Sequence, residues 1–158
     1  MEYVMKNLQI NTINGDRYTV DLDVLCYSDE FQRPALRLVG SEGSLYEYEP
    51  IMMITANLPS FNEALLANGW PAHSEFEDRP CGHLQAVAER MGSSWTFVKN
   101  YAENKGILAQ LVDLGIVYDT GHTEVSGYCD LNLVFIQDWR VETSYRAYRN
   151  QAQFWKEI

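Results

Sequence analysis

The chain has 158 residues, of which 46% are apolar and 13% aromatic. This composition excludes a disordered protein and suffices for one domain with its own core. The 22 acidic residues outnumber the 12 basic ones, which gives a net charge of −10. A field of that sign repels phosphate backbones, so it disfavours direct nucleic-acid binding and favours basic partners.

Two further features bound the class of protein. No apolar run is long enough for a membrane span or a secretory signal, which predicts a cytoplasmic protein with no membrane partner. The chain has three cysteines, and an odd number at irregular spacing argues against a secreted disulfide framework. We therefore expect free thiols.

The chain opens with two runs of alternating apolar and polar residues, Tyr3 to Ile10 and Tyr18 to Val24. An Asn-Gly pair lies between them at 14–15, and both residue types tolerate the positive φ of a type I′ turn. This pattern predicts a β-hairpin. Asp21 and Asp23 share one face of its second strand, and we expect that face to be turned to solvent.

A short strand is predicted at Ala35 to Val39. Gly40 and Gly43 then bracket a tight turn into a strand at Leu45 to Tyr48. The next stretch, Glu49 to Pro59, holds an apolar run between two prolines that cannot donate to a sheet ladder, which predicts a buried strand with marked ends. Together these runs indicate an N-terminal antiparallel β-meander.

Helical spacing of apolar residues predicts two helices between Ser60 and Gly92, separated by a polar, acidic stretch. A strand is expected at Ser94 to Val98. A third helix is predicted between a cap at Asn104 and a stop at Gly115.

The last third of the chain is predicted to hold one strand and one helix. Thr120 to Gly127 has the composition of a glycine-flanked loop, and Leu131 to Phe135 that of a strand buried on both faces. Ser144 is expected to cap a C-terminal helix. The whole chain, 1–158, is thus predicted as a single acidic α+β domain, with three to four helices packed on the N-terminal meander.

Several segments resemble a family of small bacterial proteins of unknown function. They are Glu49-Pro50 with Thr55-Ala56-Asn57-Leu58-Pro59, Trp95-Thr96-Phe97-Val98, Leu114-Gly115, Thr120-Gly121 and Ser126-Gly127-Tyr128-Cys129. Members of that family occur on conjugative and other mobile elements. The resemblance extends from Glu49 to Phe135 and implies an insertion at about 61–92. It implies a genomic setting in which small acidic inhibitors of host defence nucleases are common, which is an argument by analogy.

These observations favour a non-catalytic acidic binding protein of a phage or mobile element. We expect it to occupy the basic surface of a nucleic-acid-binding host defence protein of the restriction or CRISPR type, with carboxylates in the place of phosphates. Tyrosines would serve as anchors for an arginine-rich partner. No catalytic residue and no cofactor are assigned. The expected contact residues are Asp21, Asp23, Glu42, Glu47, Glu49, Glu75, Glu77, Asp78, Tyr46 and Tyr48.

Two alternatives are kept. Cys81, His83, His122 and Cys129 would supply the ligands of a metal site or the thiol of an enzyme, although they lack the paired short spacing of zinc ligands. Alternatively, the chain is an accessory domain whose charge serves solubility alone. Self-association into a homodimer is left open in each case.

Overall fold

The structure is a computed structural model that describes residues 3–29, 32–59, 94–127 and 129–157. The two helices predicted between Ser60 and Gly92 lie outside these residues, as does the insertion at about 61–92. The statements below concern the described residues.

The described chain is mostly β. Its strands are β1 (Met5–Asn11), β2 (Arg17–Cys26), β3 (Pro34–Gly40), β4 (Pro50–Met53), β5 (Thr55–Ala56), β6 (Trp95–Lys99), β7 (Val117–Ser126) and β8 (Cys129–Ile136). Its helices are α1 (Ile107–Asp113) and α2 (Trp139–Glu157), with a 3₁₀ turn at Ala102–Asn104.

The strands form two four-stranded antiparallel sheets, one in the order β1-β2-β3-β4 and one in the order β5-β6-β8-β7. The prediction of a single N-terminal meander with three to four helices packed on it is therefore wrong. The second half of the chain supplies three strands of a second sheet, to which β5 adds the fourth. This sheet includes β7, which pairs with β8 along a stretch that the glycines had marked as a loop.

The N-terminal hairpin is confirmed, but its turn is not of type I′. A type I′ turn needs positive φ at both central residues, and in the 14–15 pair only Gly15 has it, at +87°. The Thr12 N–H donates to the Asp16 carbonyl at 2.8 Å and the Gly15 N–H to the Thr12 carbonyl at 3.0 Å. This is a three-residue hairpin loop that ends in a left-handed glycine.

The stretch Glu49 to Pro59 holds two strands, where one was predicted. Pro50 opens β4, a position in which its missing N–H costs little. Ile54 then joins the two sheets: its N–H donates to the Leu36 carbonyl of β3 at 2.9 Å, and its carbonyl accepts the Lys99 N–H of β6 at 2.8 Å. The apolar run therefore carries the chain from the first sheet to the second.

Two other boundaries differ from the prediction. Leu45 to Tyr48 is a turn-rich loop that makes only an isolated bridge between Gly40 and Glu47. Thr120 to Gly127, predicted as a loop, lies almost wholly within β7. The register of β7 on β8 shifts between Asp119 and Thr123, and such a bulge accommodates a glycine inside a strand.

The described residues form two apolar cores, and the larger one lies between the sheets and the helices. One face of β2 and β3 supplies Val20, Leu22, Leu36 and Leu38, which are fully buried. The second sheet contributes residues that include Val134 and Ile136, as predicted for a strand buried on both faces. The helices α1 and α2 close this core with Ile107, Leu111, Val141 and Tyr145. The smaller core, on the other face of β6 and β8, consists of Trp95, Phe97, Leu131, Leu133 and Phe135.

Both helices begin elsewhere than predicted. Gly106 is the N-cap of α1 with φ +91°, and the Asn100 carboxamide oxygen accepts the Gly106 and Leu108 N–H groups. Gly115, with φ +72°, ends α1 as predicted. The helix α2 starts after Asp138, whose carboxylate accepts the Arg140 N–H at 2.8 Å. Within the described ranges, neither helix combines the length and the apolar character that a membrane span requires.

Candidate functional site

The loop between β3 and β4, residues Ser41 to Glu49, is called the acidic loop below. It begins where Gly40 ends β3, and the reason for glycine there is steric. A Cβ at position 40 would lie 1.8 Å from the carbonyl oxygen of Tyr46, which is far too short for two atoms that are not bonded to each other. Glycine at position 40 thus lets the loop fold back onto its own strand.

Backbone hydrogen bonds hold the acidic loop against the sheet. The Gly40 N–H donates to the Glu49 carbonyl, and the Tyr48 N–H donates to the Gly40 carbonyl, both at 2.8 Å. The Ser41 N–H donates to the Thr19 carbonyl of β2 at 3.1 Å. These bonds tie both ends of the loop to the sheet, so its side chains are presented from a defined backbone.

The acidic loop exposes both charge and large apolar side chains. Glu42, Glu47 and Glu49 are all exposed, and no ion pair of the described residues includes them. Leu45 is 87% exposed, more than any other large apolar residue that the structure describes, and Tyr48 is 58% exposed. Leu45, Tyr46 and Tyr48 are all exposed on this one loop, and a group of exposed apolar side chains rimmed by polar residues is typical of a contact surface.

Asp21 and Asp23 do not belong to this surface. Each is only 4% exposed, so the prediction that their face is turned to solvent is wrong. The Arg37 Nε donates to Asp23 Oδ2 at 2.6 Å. Asn7 of β1, Arg37 of β3 and Ser41 of the acidic loop hydrogen-bond to these carboxylates.

Asp21 is held by the elements on either side of it. Its Oδ1 accepts the Asn7 N–H at 2.9 Å and the Ser41 hydroxyl at 2.6 Å. The register of β1 on β2 is irregular between Met5 and Leu8, and Asn7 has φ +57°, which asparagine tolerates better than most residues. This irregularity brings the Asn7 amide to the aspartate.

A cavity of about 270 Å³ opens beside the acidic loop. We call it the Tyr48 cavity. The pKa of the Tyr48 hydroxyl is raised, first by desolvation and then by the negative charges of Glu42, Glu47 and Asp21. Its lining residues are Tyr3, Lys6, Asn7, Asp21, Glu42 and Tyr48.

A second cavity, of about 400 Å³, also adjoins the loop. Tyr46 and Tyr18 line it, and their ring centroids are 5.7 Å apart with the planes tilted by 50°. Leu45 and Arg17 also contribute to its wall. The acidic loop therefore contributes to two cavities, each with a tyrosine of the loop in its wall.

The residues proposed for a metal or thiol site do not converge where the structure describes them. Ser126 pairs with Cys129 and Thr123 with Asn132, so His122 lies roughly 13 Å along the hairpin from Cys129. His122 Nε2 instead lies 3.0 Å from Glu124 Oε1. The described residues contain no group of three potential metal ligands; Cys81 and His83 lie outside them.

Of the ten predicted contact residues, five lie on the acidic loop: Glu42, Glu47, Glu49, Tyr46 and Tyr48. Glu75, Glu77 and Asp78 lie outside the described residues. Tyr3, Lys6 and Leu45 were not predicted. Leu45 was assigned to the start of a strand, and nothing in the local pattern of Tyr3 or Lys6 indicates that they would lie beside the loop.

Comparisons with protein-family models, with curated proteins and with solved structures give no match. The resemblance to the mobile-element family therefore remains a prediction. The fold and the site define the class only as a mostly β protein with an exposed, acidic and aromatic loop.

Proposed function

We propose that this chain is a non-catalytic binding protein that uses the acidic loop to dock on a basic protein surface. One observation carries the proposal. Three exposed glutamates and three exposed large apolar side chains, Leu45, Tyr46 and Tyr48, occupy a single loop that is hydrogen-bonded to the sheet.

The two kinds of side chain have different physical roles in such an interface. The tyrosines bury a large contact area at little cost in conformational entropy and so supply affinity, and Leu45 adds apolar area. The glutamates steer a basic partner to the loop and set its orientation, and this contribution weakens with salt. The backbone hydrogen bonds of the loop reduce the entropy that would be lost on binding.

The partner class that fits best is a nucleic-acid-binding protein of a host defence system. Such proteins carry basic grooves built for phosphates, and carboxylates on a hydrogen-bonded loop can take the place of phosphates there. The net charge of −10 attracts such a groove at long range, while the two proteins are still approaching each other. The mobile-element setting implied by the sequence resemblance points in the same direction, by analogy.

A charge-matched pair of triple variants tests the role of the loop. In the loop variant, Glu42, Glu47 and Glu49 become Gln; in the control, the exposed acids Glu103, Asp113 and Asp130 become Gln or Asn. Both variants lose the same charge. Binding of a fluorescein-labelled oligoarginine peptide, followed by anisotropy, is expected to weaken about tenfold or more in the loop variant and about twofold or less in the control.

The same titration separates the proposal from its main alternative. Affinity of the natural chain is expected to fall steeply as salt rises. Equal weakening in the two triple variants would mean that net charge alone attracts the peptide, and the accessory-domain alternative would replace the proposal. Salt-insensitive binding would equally contradict it.

A further inference from the structure

We infer that the Tyr48 cavity is a recognition pocket for one arginine side chain of the basic partner. The inference rests on the proposed function, because it names the group that the partner would present. It assigns specificity to a defined place beside the acidic loop, where the loop glutamates alone would provide only general attraction.

The size of the cavity indicates a single side chain. Its volume is about 270 Å³, just below the range of roughly 300 to 1,000 Å³ that is typical of small-molecule sites. Two tyrosines, Tyr3 and Tyr48, and two carboxylates, from Asp21 and Glu42, line it. Aromatic faces and carboxylates in one wall are the groups that recognise a cation.

Asp21 supplies the buried carboxylate of the cavity wall. It is 4% exposed, and both of its hydrogen bonds end on Oδ1. Among the described residues, no cation pairs with this carboxylate. A guanidinium group in the cavity would give Asp21 a cationic partner.

The electrostatic surroundings of Tyr48 agree with this assignment. Desolvation and then the negative charges of Glu42, Glu47 and Asp21 raise the pKa of its hydroxyl, and two of these carboxylates, Asp21 and Glu42, line the cavity. Lys6 also lines the cavity, so its walls carry two negative charges and one positive charge. The remaining negative charge matches one incoming cation.

Arginine suits this geometry better than lysine does. Its planar guanidinium stacks on tyrosine rings and donates to two carboxylate oxygens at once, whereas an ammonium acts as a point charge that holds its water more strongly.

The backbone of the loop holds Tyr48 in an unusual conformation, with φ +61°. Strained positive φ at a non-glycine residue persists only where the surrounding structure enforces it.

The test is a ¹H–¹⁵N NMR titration of the full chain with N-acetyl-arginine amide. The matched probes are the lysine amide and the citrulline amide, a neutral analogue of arginine. The backbone amides of Asn7 and Ser41 report on the cavity, because both residues bind Asp21. We expect saturable shifts with the arginine probe, at a dissociation constant on the order of millimolar, about threefold or more weaker binding of lysine, and no response to citrulline.

Variants locate the effect within the loop. Tyr48→Leu and Glu42→Gln alter the cavity, and since both side chains are exposed, neither change threatens the fold. They are expected to weaken the arginine response at least about fivefold. Tyr46→Leu and Glu49→Gln change the same residue types on the same loop outside the cavity and should leave the response within about twofold.

The outcomes distinguish this inference from the proposed function. An absent response, an equal response to citrulline, or equal weakening in the two sets of variants would overturn the pocket. The proposed function would survive that result if oligoarginine binding still depended on the loop glutamates. Saturable arginine binding together with loop-independent oligoarginine binding would support the pocket and remove the docking role of the loop.

Discussion

The carboxylates of β2 and those of the acidic loop belong to the same part of the fold, yet they differ in solvent exposure and in their hydrogen bonds. Asp21 and Asp23 are almost fully buried and hydrogen-bonded within the chain. Glu42, Glu47 and Glu49 are exposed, no ion pair of the described residues includes them, and Glu47 accepts a single hydrogen bond, from the Gly43 N–H. The comparison teaches that an acidic composition is not by itself an acidic surface. Exposed carboxylates supply the long-range attraction for a basic partner, whereas a buried one acts only on a group that enters its cavity.

The largest effect is expected when a buried carboxylate, that of Asp21, is removed. In Asp21→Ala, the Asn7 N–H and the Ser41 hydroxyl lose their acceptor, and each unsatisfied buried donor is costly. We expect a loss of about 2–4 kcal/mol in the free energy of unfolding, measured by urea denaturation. Glu49→Ala serves as the exposed control and should change it by less than about 0.5 kcal/mol. Equal losses would mean that the two carboxylates do not differ in role.

The second test displaces the exposed loop without changing its charge. In Gly40→Ala, the new Cβ meets the Tyr46 carbonyl, so the loop backbone must move. We expect a loss of about 1–3 kcal/mol in unfolding free energy and weaker oligoarginine binding. Gly43→Ala is the control, because its Cβ meets nothing within 4 Å and only its positive φ is strained. A smaller loss for Gly40→Ala than for this control would contradict the steric role of Gly40.

The smallest expected effect concerns a third kind of carboxylate, paired but at the surface. The Arg140 side chain hydrogen-bonds Asp138 and lowers its pKa. A carboxyl with a lowered pKa stabilises the fold above its unfolded pKa, and that stabilisation is lost as the pH falls below about 4, through the folded pKa.

Asp138→Asn keeps the capping ability of this position and removes the charge. At pH 7 this change should lower the free energy of unfolding by a few tenths of a kcal/mol to about 1 kcal/mol, a small loss because solvent screens the pair. At low pH it should leave the free energy of unfolding unchanged. Thermal unfolding as a function of pH measures the difference. Arg140→Gln should show the same loss at pH 7, and a loss that persisted unchanged at low pH would rule out the charge as its cause.

Much of the local structure was predictable, because it depends on residues close in sequence. Alternation predicted β2 and β8, and the left-handed glycine at 115 predicted the end of α1. The wrong prediction of a loop at Thr120 to Gly127 also has a local cause, namely the glycines of this stretch. A bulge lets β7 accommodate a glycine, because β8 supplies the hydrogen bonds of the strand.

The site was predictable in part for the same reason. The glutamates and tyrosines of the acidic loop are close neighbours in sequence, so any exposed backbone at 41–49 would gather them. Tyr3 and Asn7 could not be placed beside Tyr48 from the pattern, because only the pairing of β1 with β2 and the return of the loop to Gly40 bring them together.

The sequence by itself determined that β2 has two unlike faces, because side chains alternate along a strand. It also determined that acidic residues outnumber basic ones and that a hairpin opens the chain. Only the tertiary structure decided that the aspartate face is covered, that the run through Ile54 passes from one sheet to the other, and that three glutamates of the loop are exposed and in no ion pair of the described residues. Burial and pairing depend on neighbours that are distant in sequence, and no local pattern specifies which strands those neighbours will be.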